Sequence, residues 1–308
     1  SESFAKLGRI GPEFLAFSLN RYMEKLINII GKNGGDIFKF AGDALLVIWP
    51  EGSDLSDSCK RAIQCALDIQ AELHNVEISK DKKLSIKIGI GVGEVRILFV
   101  GGQFDRAEYL IVGEAMRVAC LSETKATNGG QTIVHESIHK LIKNFYAFEE
   151  IEESEEDDHG GHGDETKGMK FYRVLRLLKD RIQVRADAYL MRTKFNANKV
   201  RSKLPLLKSF VPKAISIYLD LEKERWSKEI RMLTIMFLNL KVDLSQTNSE
   251  EGIMRIQNIV RTVQRCIYMT KGALNKFLMD DKGSVMLIVW GLPPISEIND
   301  ASRAVYTA

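Results

Sequence analysis

An apolar hairpin with a carboxylate at its turn most constrains how this chain can fold. Residues 34–49 (GGDIFKFAGDALLVIW) contain two β-type segments joined by Gly42 and Asp43. In the first segment aromatic residues alternate with Lys39, whereas residues 44–49 are continuously apolar and are predicted to be buried on both faces. A hairpin tip keeps a side chain exposed yet rigid, which suits a metal ligand. Gly-Asp turns are also common structural turns, so the spacing alone leaves both interpretations of Asp43 open.

A second, diverged copy of this layout occurs near the end of the chain. The equivalent segments are 34–40 with 271–277, 44–49 with 285–290, and 58–66 with 300–308. Lys276 stands at the position of Lys39. Two copies in one chain predict two related domains. The turn of the second copy is longer, so its acidic residues need not occupy the place of Asp43.

Length and composition agree with two folded domains and exclude some function classes. A chain of 308 residues is long enough for two cores, and its apolar and charged fractions of 45% and 28% are ordinary for globular proteins. The formal charge of +3 does not indicate a charge-driven nucleic-acid binder. The chain has no apolar run of about 18 residues, so no membrane span is predicted.

The four cysteines show no CxxC spacing, which predicts reduced core thiols rather than disulfides or a zinc site. They are Cys59, Cys65, Cys120 and Cys266. Reduced thiols favour a cytosolic setting. The chain starts without Met and stops within a predicted helix, so we expect it to be a fragment of a longer polypeptide.

The order of the predicted elements indicates an α/β sandwich with helices on a mixed sheet. Apolar residues recur at helical spacing over 13–30 and again between the first hairpin and Leu73. An alternating strand over 84–93 follows, and then short strands at 97–100 and 109–112. We predict a first domain over 1–177, a basic connector over 178–228 and an incomplete second domain over 229–308.

An acidic, glycine-containing segment over 149–168 interrupts the first domain. It cannot bury enough apolar surface to fold alone, so we predict a solvated loop. His159 and His162 lie beside acidic residues, but no third soft ligand accompanies them, and we assign them no metal.

The sequence around Asp43 (FKFAGDALL) and the repeated hairpin resemble class III nucleotidyl cyclases, in particular the soluble, bicarbonate-responsive adenylyl cyclases. The resemblance covers most of the chain, including the second-domain segment 234–239, whose Asn239 stands where the family carries a metal-binding Asp in its first half. It implies tandem ferredoxin-like α/β domains that pair about a pseudo-twofold axis, with the active site at their interface. The N-terminal strand of the first domain would precede Ser1.

The resemblance implies cyclisation of ATP to 3′,5′-cyclic AMP and pyrophosphate with two divalent metal ions, Mg²⁺ or Mn²⁺. It assigns Asp43 as one of two metal-bridging carboxylates, the other lying before Ser1. It makes Lys87 a contact of the triphosphate and Lys276 a hydrogen-bond donor to adenine. From the residues alone, Lys87 is equally well an outward strand lysine.

The resemblance also places Lys39 near a bicarbonate pocket, although a solvated hairpin lysine fits the sequence as well. The arginine that accompanies it in the family falls on Cys120, and a thiol cannot replace a guanidinium as an anion clamp. Arg117 lies three residues earlier, roughly on the same helical face. This departure from the pattern puts bicarbonate regulation in doubt.

Two function hypotheses follow from the resemblance. The first is an active adenylyl cyclase whose partners are ATP and its own second domain. The second is a degenerate cyclase pair retained as a scaffold or nucleotide sensor in a larger assembly, and Cys120 and the acidic segment favour it. Guanine recognition usually needs an acidic residue where Lys276 stands, which disfavours a guanylyl cyclase. A cytosolic location is the default, and relatives suggest a cilium or flagellum.

Overall fold

The computed structural model describes residues 10–41, 44–50, 54–79, 82–152, 168–181, 197–212, 231–242, 247, 249–280, 283–292 and 295–308. In chain order the elements are α1 (Ile10–Lys32), β1 (Asp36–Ala41), β2 (Ala44–Ile48), α2 (Leu55–Leu73), β3 (Val76–Ser79), β4 (Lys82–Leu84), β5 (Ile88–Ile90), β6 (Arg96–Gln103), β7 (Arg106–Val112), α3 (Glu114–Thr124), β8 (Thr132–His135), α4 (Glu136–Ile142), β9 (Tyr146–Glu150), β10 (Phe171–Leu177), α5 (Ala197–Ser209), β11 (Thr234–Asn239), α6 (Glu250–Met269), β12 (Ala273–Asp280), β13 (Gly283–Trp290) and α7 (Asp300–Thr307). Helices and strands interleave throughout, which confirms the predicted mixed α/β class. No helix in these ranges is long and apolar enough to cross a membrane.

The first of two compact units comprises Ser1–Val92 and Val118–Lys194. Its main sheet has the order β5-β8-β10-β9, with β5 and β8 parallel and the other pairs antiparallel. Helices α2 and α4 supply the buried face over this sheet, where Ile63 and Ile138 are fully buried. Asp54 caps α2 by accepting a hydrogen bond from the amide of Ser56 at 2.9 Å.

A second apolar cluster in this unit joins α1 and α2 to the hairpin β1–β2. The hydroxyl of Tyr22 donates to the carbonyl of Leu73 at 3.0 Å and ties α1 to the end of α2. Burial raises the pKa of Tyr22 to about 12, so this phenol remains a donor at physiological pH.

The second compact unit comprises Gly93–Arg117 and Phe195–Ala308. Its sheet has the order β11-β13-β12, with every pair antiparallel, and α6 and the hairpin β6–β7 bury the core with it. Val260 of α6 and Phe277 of β12 are fully buried. The hairpin β6–β7 therefore packs with elements that follow it by some 150 residues in sequence.

Four details of the predicted elements are wrong. The predicted acidic loop does not begin at Glu149, because Glu149 and Glu150 end β9 and pair with Arg173 and Tyr172 of β10. Strand β2 is half-buried rather than buried on both faces, because β1 is its sole strand neighbour among the described residues. The predicted strand 84–93 is broken at 85–87, where the carbonyl of Ile86 accepts from Gln70 and from Gly130 instead of a strand ladder. All four cysteines are free as predicted, but Cys266 is exposed, since it faces outward on α6. His159 and His162 lie outside the described residues.

Candidate active site

Helix α1 leads into the first hairpin through a tight C-terminal cap. The amide of Gly35 donates to the carbonyl of Ile30 at 3.0 Å, and Gly34 has a φ of +72°, which glycine adopts without steric cost. The indole Nε1 of Trp49 donates to the carbonyl of Asn33 at 3.1 Å. A Cβ on Gly35 would lie 2.8 Å from the Trp49 ring, so glycine lets the indole close over the helix end.

The second hairpin is built in the same way. The amide of Gly272 donates to the carbonyl of Ile267 at 2.9 Å, and Nε1 of Trp290 donates to the carbonyl of Thr270 at 3.2 Å. A Cβ on Gly272 would lie 2.7 Å from the Trp290 ring. Lys271, with a φ of +56°, stands at the position that Gly34 occupies in the first copy. The repeated sequence thus encodes one structural motif twice.

A β-bulge precedes the predicted site lysine in each hairpin. In the first, pairing shifts between Ile37 and Lys39, so that Lys39 faces Leu46. In the second it shifts between Leu274 and Lys276, so that Lys276 faces Leu287. A bulge re-aims the side chain that follows it. Lys39 and Lys276 are both half-buried and hold equivalent positions in their own units.

Asp43, the predicted catalytic carboxylate and metal ligand, lies outside the described residues. The two strands that flank it close at the pair Ala41 and Ala44. A carboxylate is a hard oxygen donor, and its chemistry fits Mg²⁺ or Mn²⁺. Within the described ranges no group of three or more His, Cys, Asp or Glu side chains could hold a metal ion. A metal centre here would need ligands beyond those ranges.

Lys87, the predicted triphosphate contact, is exposed and lies in the irregular segment before β5. It is therefore not an outward lysine on a regular strand. The hydrogen bonds of Gln70 and Gly130 to the carbonyl of Ile86 fix the backbone one residue earlier. The segment presents an ammonium group to solvent from a tethered backbone.

Asn239 ends β11, where it pairs with Val285. Its side-chain oxygen accepts a hydrogen bond from the amide of Lys241 at 2.9 Å, so this amide group caps the strand end. Lys241 has a φ of +49°, and the turn leaves the sheet there. The second unit therefore has a neutral amide engaged with backbone at the end of this strand.

Helix α3 carries the predicted anion-site positions. Cys120 is half-buried there. The guanidinium of Arg117 donates to both carboxylate oxygens of Glu114, at 2.8 and 3.0 Å. Glu114 thus engages Nε and Nη2 of Arg117 in a partly exposed ion pair.

Sequence reasoning missed a set of buried polar groups that hold β6–β7 against α6. Gln264 is 4% exposed; its Oε1 accepts from the amide of Gln103 at 3.2 Å and its Nε2 donates to the carbonyl of Arg106 at 2.8 Å. Arg106 also forms a buried ion pair with Glu108. Burial lowers the pKa of the Arg106 guanidinium, and Glu108 opposes that shift. The one sequence signal that could have revealed this network is Gln264, a polar residue within the apolar stripe of α6.

A cavity of about 430 Å³ lies in the first unit between α1 and β3. Its lining includes Arg21, Tyr22, Lys25 and Glu77. None of the predicted site residues that the structure describes lines this cavity, so we do not assign the cyclase chemistry to it.

Comparison with protein families matches residues 2–175 to the family described as the adenylate and guanylate cyclase catalytic domain. This match covers more than half of the chain. Among curated proteins, the chain is similar to adenylate cyclase type 10 of Oryctolagus cuniculus, at 24% identity over 97% of this chain and 19% of the relative. The Homo sapiens protein of the same name is 25% identical over 92% of this chain and 18% of its own length. The chain thus spans about a fifth of the length of these relatives.

Two solved structures illustrate the likeness in three dimensions. The adenylyl cyclase CyaB from P. aeruginosa has a TM-score of 0.45 at 22% identity, over 56% of this chain and 86% of that chain. The guanylate cyclase domain of RhGC from Catenaria anguillulae, in complex with GTP, has a TM-score of 0.45 at 21% identity, over 56% of this chain and 91% of that chain.

Proposed function

Since this chain belongs to the adenylate and guanylate cyclase catalytic domain family, we propose that it is the catalytic region of an adenylyl cyclase. It would convert ATP to 3′,5′-cyclic AMP and pyrophosphate. The observation that carries this proposal is the length of the likeness to type 10 adenylate cyclases, which extends over 97% of the chain. That likeness continues past the family match at residue 175 and through the second hairpin motif.

The two halves would form one site, with the first domain over 1–177, the connector over 178–228 and the second domain over 229–308. The repeated cap, indole and bulge support a common origin for the two hairpins. Asn239, a neutral amide engaged with backbone, supports a single metal site on the first domain rather than two symmetric sites.

Asp43 would hold Mg²⁺ or Mn²⁺, with two ions expected, and the bound metal would neutralise phosphate charge and activate the ribose 3′-hydroxyl. Lys87 would contact the triphosphate, because an exposed ammonium on a tethered backbone suits anionic oxygens. Lys276 would donate to a ring nitrogen of adenine and so favour ATP over GTP. Its position after a bulge in a three-stranded sheet supports a fixed orientation.

A second candidate is a catalytically degenerate cyclase pair that acts as a scaffold or nucleotide sensor in a larger assembly. Cys120 at the expected arginine position favours it, and so does the engagement of Arg117 by Glu114. The same two observations argue against a bicarbonate pocket at Lys39. A cytoplasmic location is proposed from the free cysteines, and a cilium or flagellum as the site of assembly is proposed on the ground of resemblance alone.

The test is cyclic AMP production by the full-length protein with Mg-ATP or Mn-ATP, measured beside Asp43→Asn, with and without bicarbonate. We expect the wild type to be active and Asp43→Asn to lose activity by a factor of about 100 or more, because the metal ligand is removed. Parallel assays with Mg-GTP would measure base selectivity.

Asp105→Asn is the matched control, since Asp105 is an exposed carboxylate at another hairpin turn with a φ of +58° that asparagine tolerates. It should retain wild-type activity. Folded protein that binds ATP but makes no cyclic AMP would support the sensor candidate. Equal activity of wild type and Asp43→Asn would overturn the assigned metal role.

A further inference from the structure

Helix α5 concentrates positive charge that the proposed cyclase chemistry does not use. Its residues 197–209 contain four basic residues and no acidic residue, although the whole chain carries a formal charge of only +3. The basic residues are Lys199, Arg201, Lys203 and Lys208. The rest of the chain is therefore net acidic, and this segment is a local exception.

The same helix exposes leucines beside those charges. Leu204, Leu206 and Leu207 are 44%, 61% and 48% exposed. Helical periodicity places Leu206 on a different face from Leu204 and Leu207, which lie next to each other on one face. Lys203 borders this face on one side and Arg201 on the other. All residues from 201 to 208 are exposed. An apolar stripe with cationic borders is typical of helices that lie in a membrane interface.

The C-terminal end of α5 is fixed to the hairpin β6–β7 of the same unit. The carbonyl of Ser209 accepts a hydrogen bond from Nη1 of Arg106 at 3.3 Å. Phe210 packs on the hairpin β6–β7, with ring centroids 5.6 Å from Phe99 and 5.7 Å from Tyr109. The helix is thus anchored at one end while its side chains from 201 to 208 stay exposed.

We propose that α5 is a membrane-surface helix that docks the protein on an anionic lipid bilayer. The cationic side chains would pair with anionic headgroups, and Leu204 and Leu207 would enter the boundary of the acyl region. A nucleic acid would satisfy the charges but leave the leucines in water, so the combined pattern favours lipid. The helix lies on the bilayer and does not span it. This inference is independent of cyclase activity.

The test is co-sedimentation of the 308-residue chain with vesicles of phosphatidylcholine alone or with 30% phosphatidylserine, at 0.1 and 0.5 M NaCl. We expect binding to the anionic vesicles that high salt weakens. Arg201→Gln/Lys203→Gln should weaken partitioning about 25-fold, since each charge contributes roughly a fivefold effect. Glutamine preserves helix propensity, and circular dichroism would verify folding.

Lys83→Gln/Arg255→Gln is the matched control, because both residues are exposed and the net charge falls by the same amount. It should bind anionic vesicles like the wild type. Equal loss in both double variants would reduce the effect to overall charge and overturn the proposal. Absence of vesicle binding by the wild type would also overturn the proposal. Binding to poly-glutamate but not to vesicles would instead assign the helix to an acidic protein partner.

Discussion

Because Gly272 has no Cβ, the indole of Trp290 can pack over the end of α6. We expect Gly272→Ala to lower the free energy of unfolding by about 1–3 kcal/mol, because the added Cβ would lie 2.7 Å from the indole and force a core side chain to move. The backbone there needs no left-handed conformation, so the cost is steric. Urea denaturation followed by tryptophan fluorescence would measure it.

Trp290→Phe provides the matching background. The smaller ring relieves the clash, so Gly272→Ala should cost less there than in the wild type. A double-mutant cycle gives that coupling directly. Equal costs in the two backgrounds would contradict the steric explanation.

We expect His139 to make the stability of the first unit depend on pH. Its ring stacks on Tyr172 at 4.1 Å and meets the edge of Phe148 at 5.0 Å. Burial lowers the pKa of His139 from its ordinary value of 6.5, aided by Lys143 and Lys140 and opposed by Glu150 and Glu136. The folded state therefore binds a proton less readily than the unfolded state. We expect the free energy of unfolding to fall as the pH drops from 7.5 through 6.5 to 5.5.

His139→Phe keeps an aromatic ring in the stack and removes the titrating group. The decline between pH 7.5 and 5.5 should be smaller in this variant, as measured by denaturant titrations at each pH. Glu136 and Glu150 have pKa values lowered below 4.5 by Lys140 and Lys170, so they titrate outside this window. A pH profile identical to that of the wild type would refute the assignment to His139.

At the scale of elements, buried amide groups hold the hairpin β6–β7 on α6. Replacing Gln264 with Met should cost about 1–3 kcal/mol of stability, because it leaves the amide of Gln103 and the carbonyl of Arg106 without these partners in a buried setting. Methionine fills a similar volume, so cavity formation adds little. Thermal and chemical denaturation would measure the loss.

Arg265→Met is the control on the neighbouring position. Arg265 is exposed and donates to the side chain of Gln103 at 3.4 Å, so its loss should change stability by no more than about 0.5 kcal/mol. If the two variants destabilise equally, the buried amide network is not what holds the hairpin.

Local sequence patterns predicted where helices and strands lie better than they predicted the burial and pairing of those elements. Helical spacing located α1 and α2, and the internal repeat located both hairpins and their tryptophans. Burial of β2 was overestimated because it depends on the number of neighbouring strands, which an apolar run does not encode. The bulges before Lys39 and Lys276 were invisible because a bulge is a property of pairing. For the candidate site, the resemblance assigned Lys39, Lys87 and Lys276, and their roles stay predictions. Asp43 lies outside the described residues and stays a prediction as well.

At the scale of the whole molecule, spatial units do not follow chain order. The predicted first domain runs to residue 177, whereas the contacts assign Gly93–Arg117 to the same compact unit as Phe195–Ala308. A hairpin that contacts a helix some 160 residues away gives no local signal of it. The predicted domain bounds rest on sequence patterns, whereas the compact units rest on packing. These two divisions make different predictions about which elements unfold together.

Hydrogen exchange can separate them with two core variants. Ile138 is fully buried in the first unit and Val260 in the second. Ile138→Ala should speed amide exchange about tenfold or more in α2, β8 and β10, while Val260→Ala should do so in α6, β12 and β13. Amide exchange in the hairpin β6–β7 should become faster in Val260→Ala and stay unchanged in Ile138→Ala. The reason is that its buried residues Val100 and Leu110 belong to the core of the second unit. Mass spectrometry of the full chain reads all these segments at once. Faster exchange of the hairpin in Ile138→Ala alone would show that it unfolds with the first unit and would contradict the packing assignment.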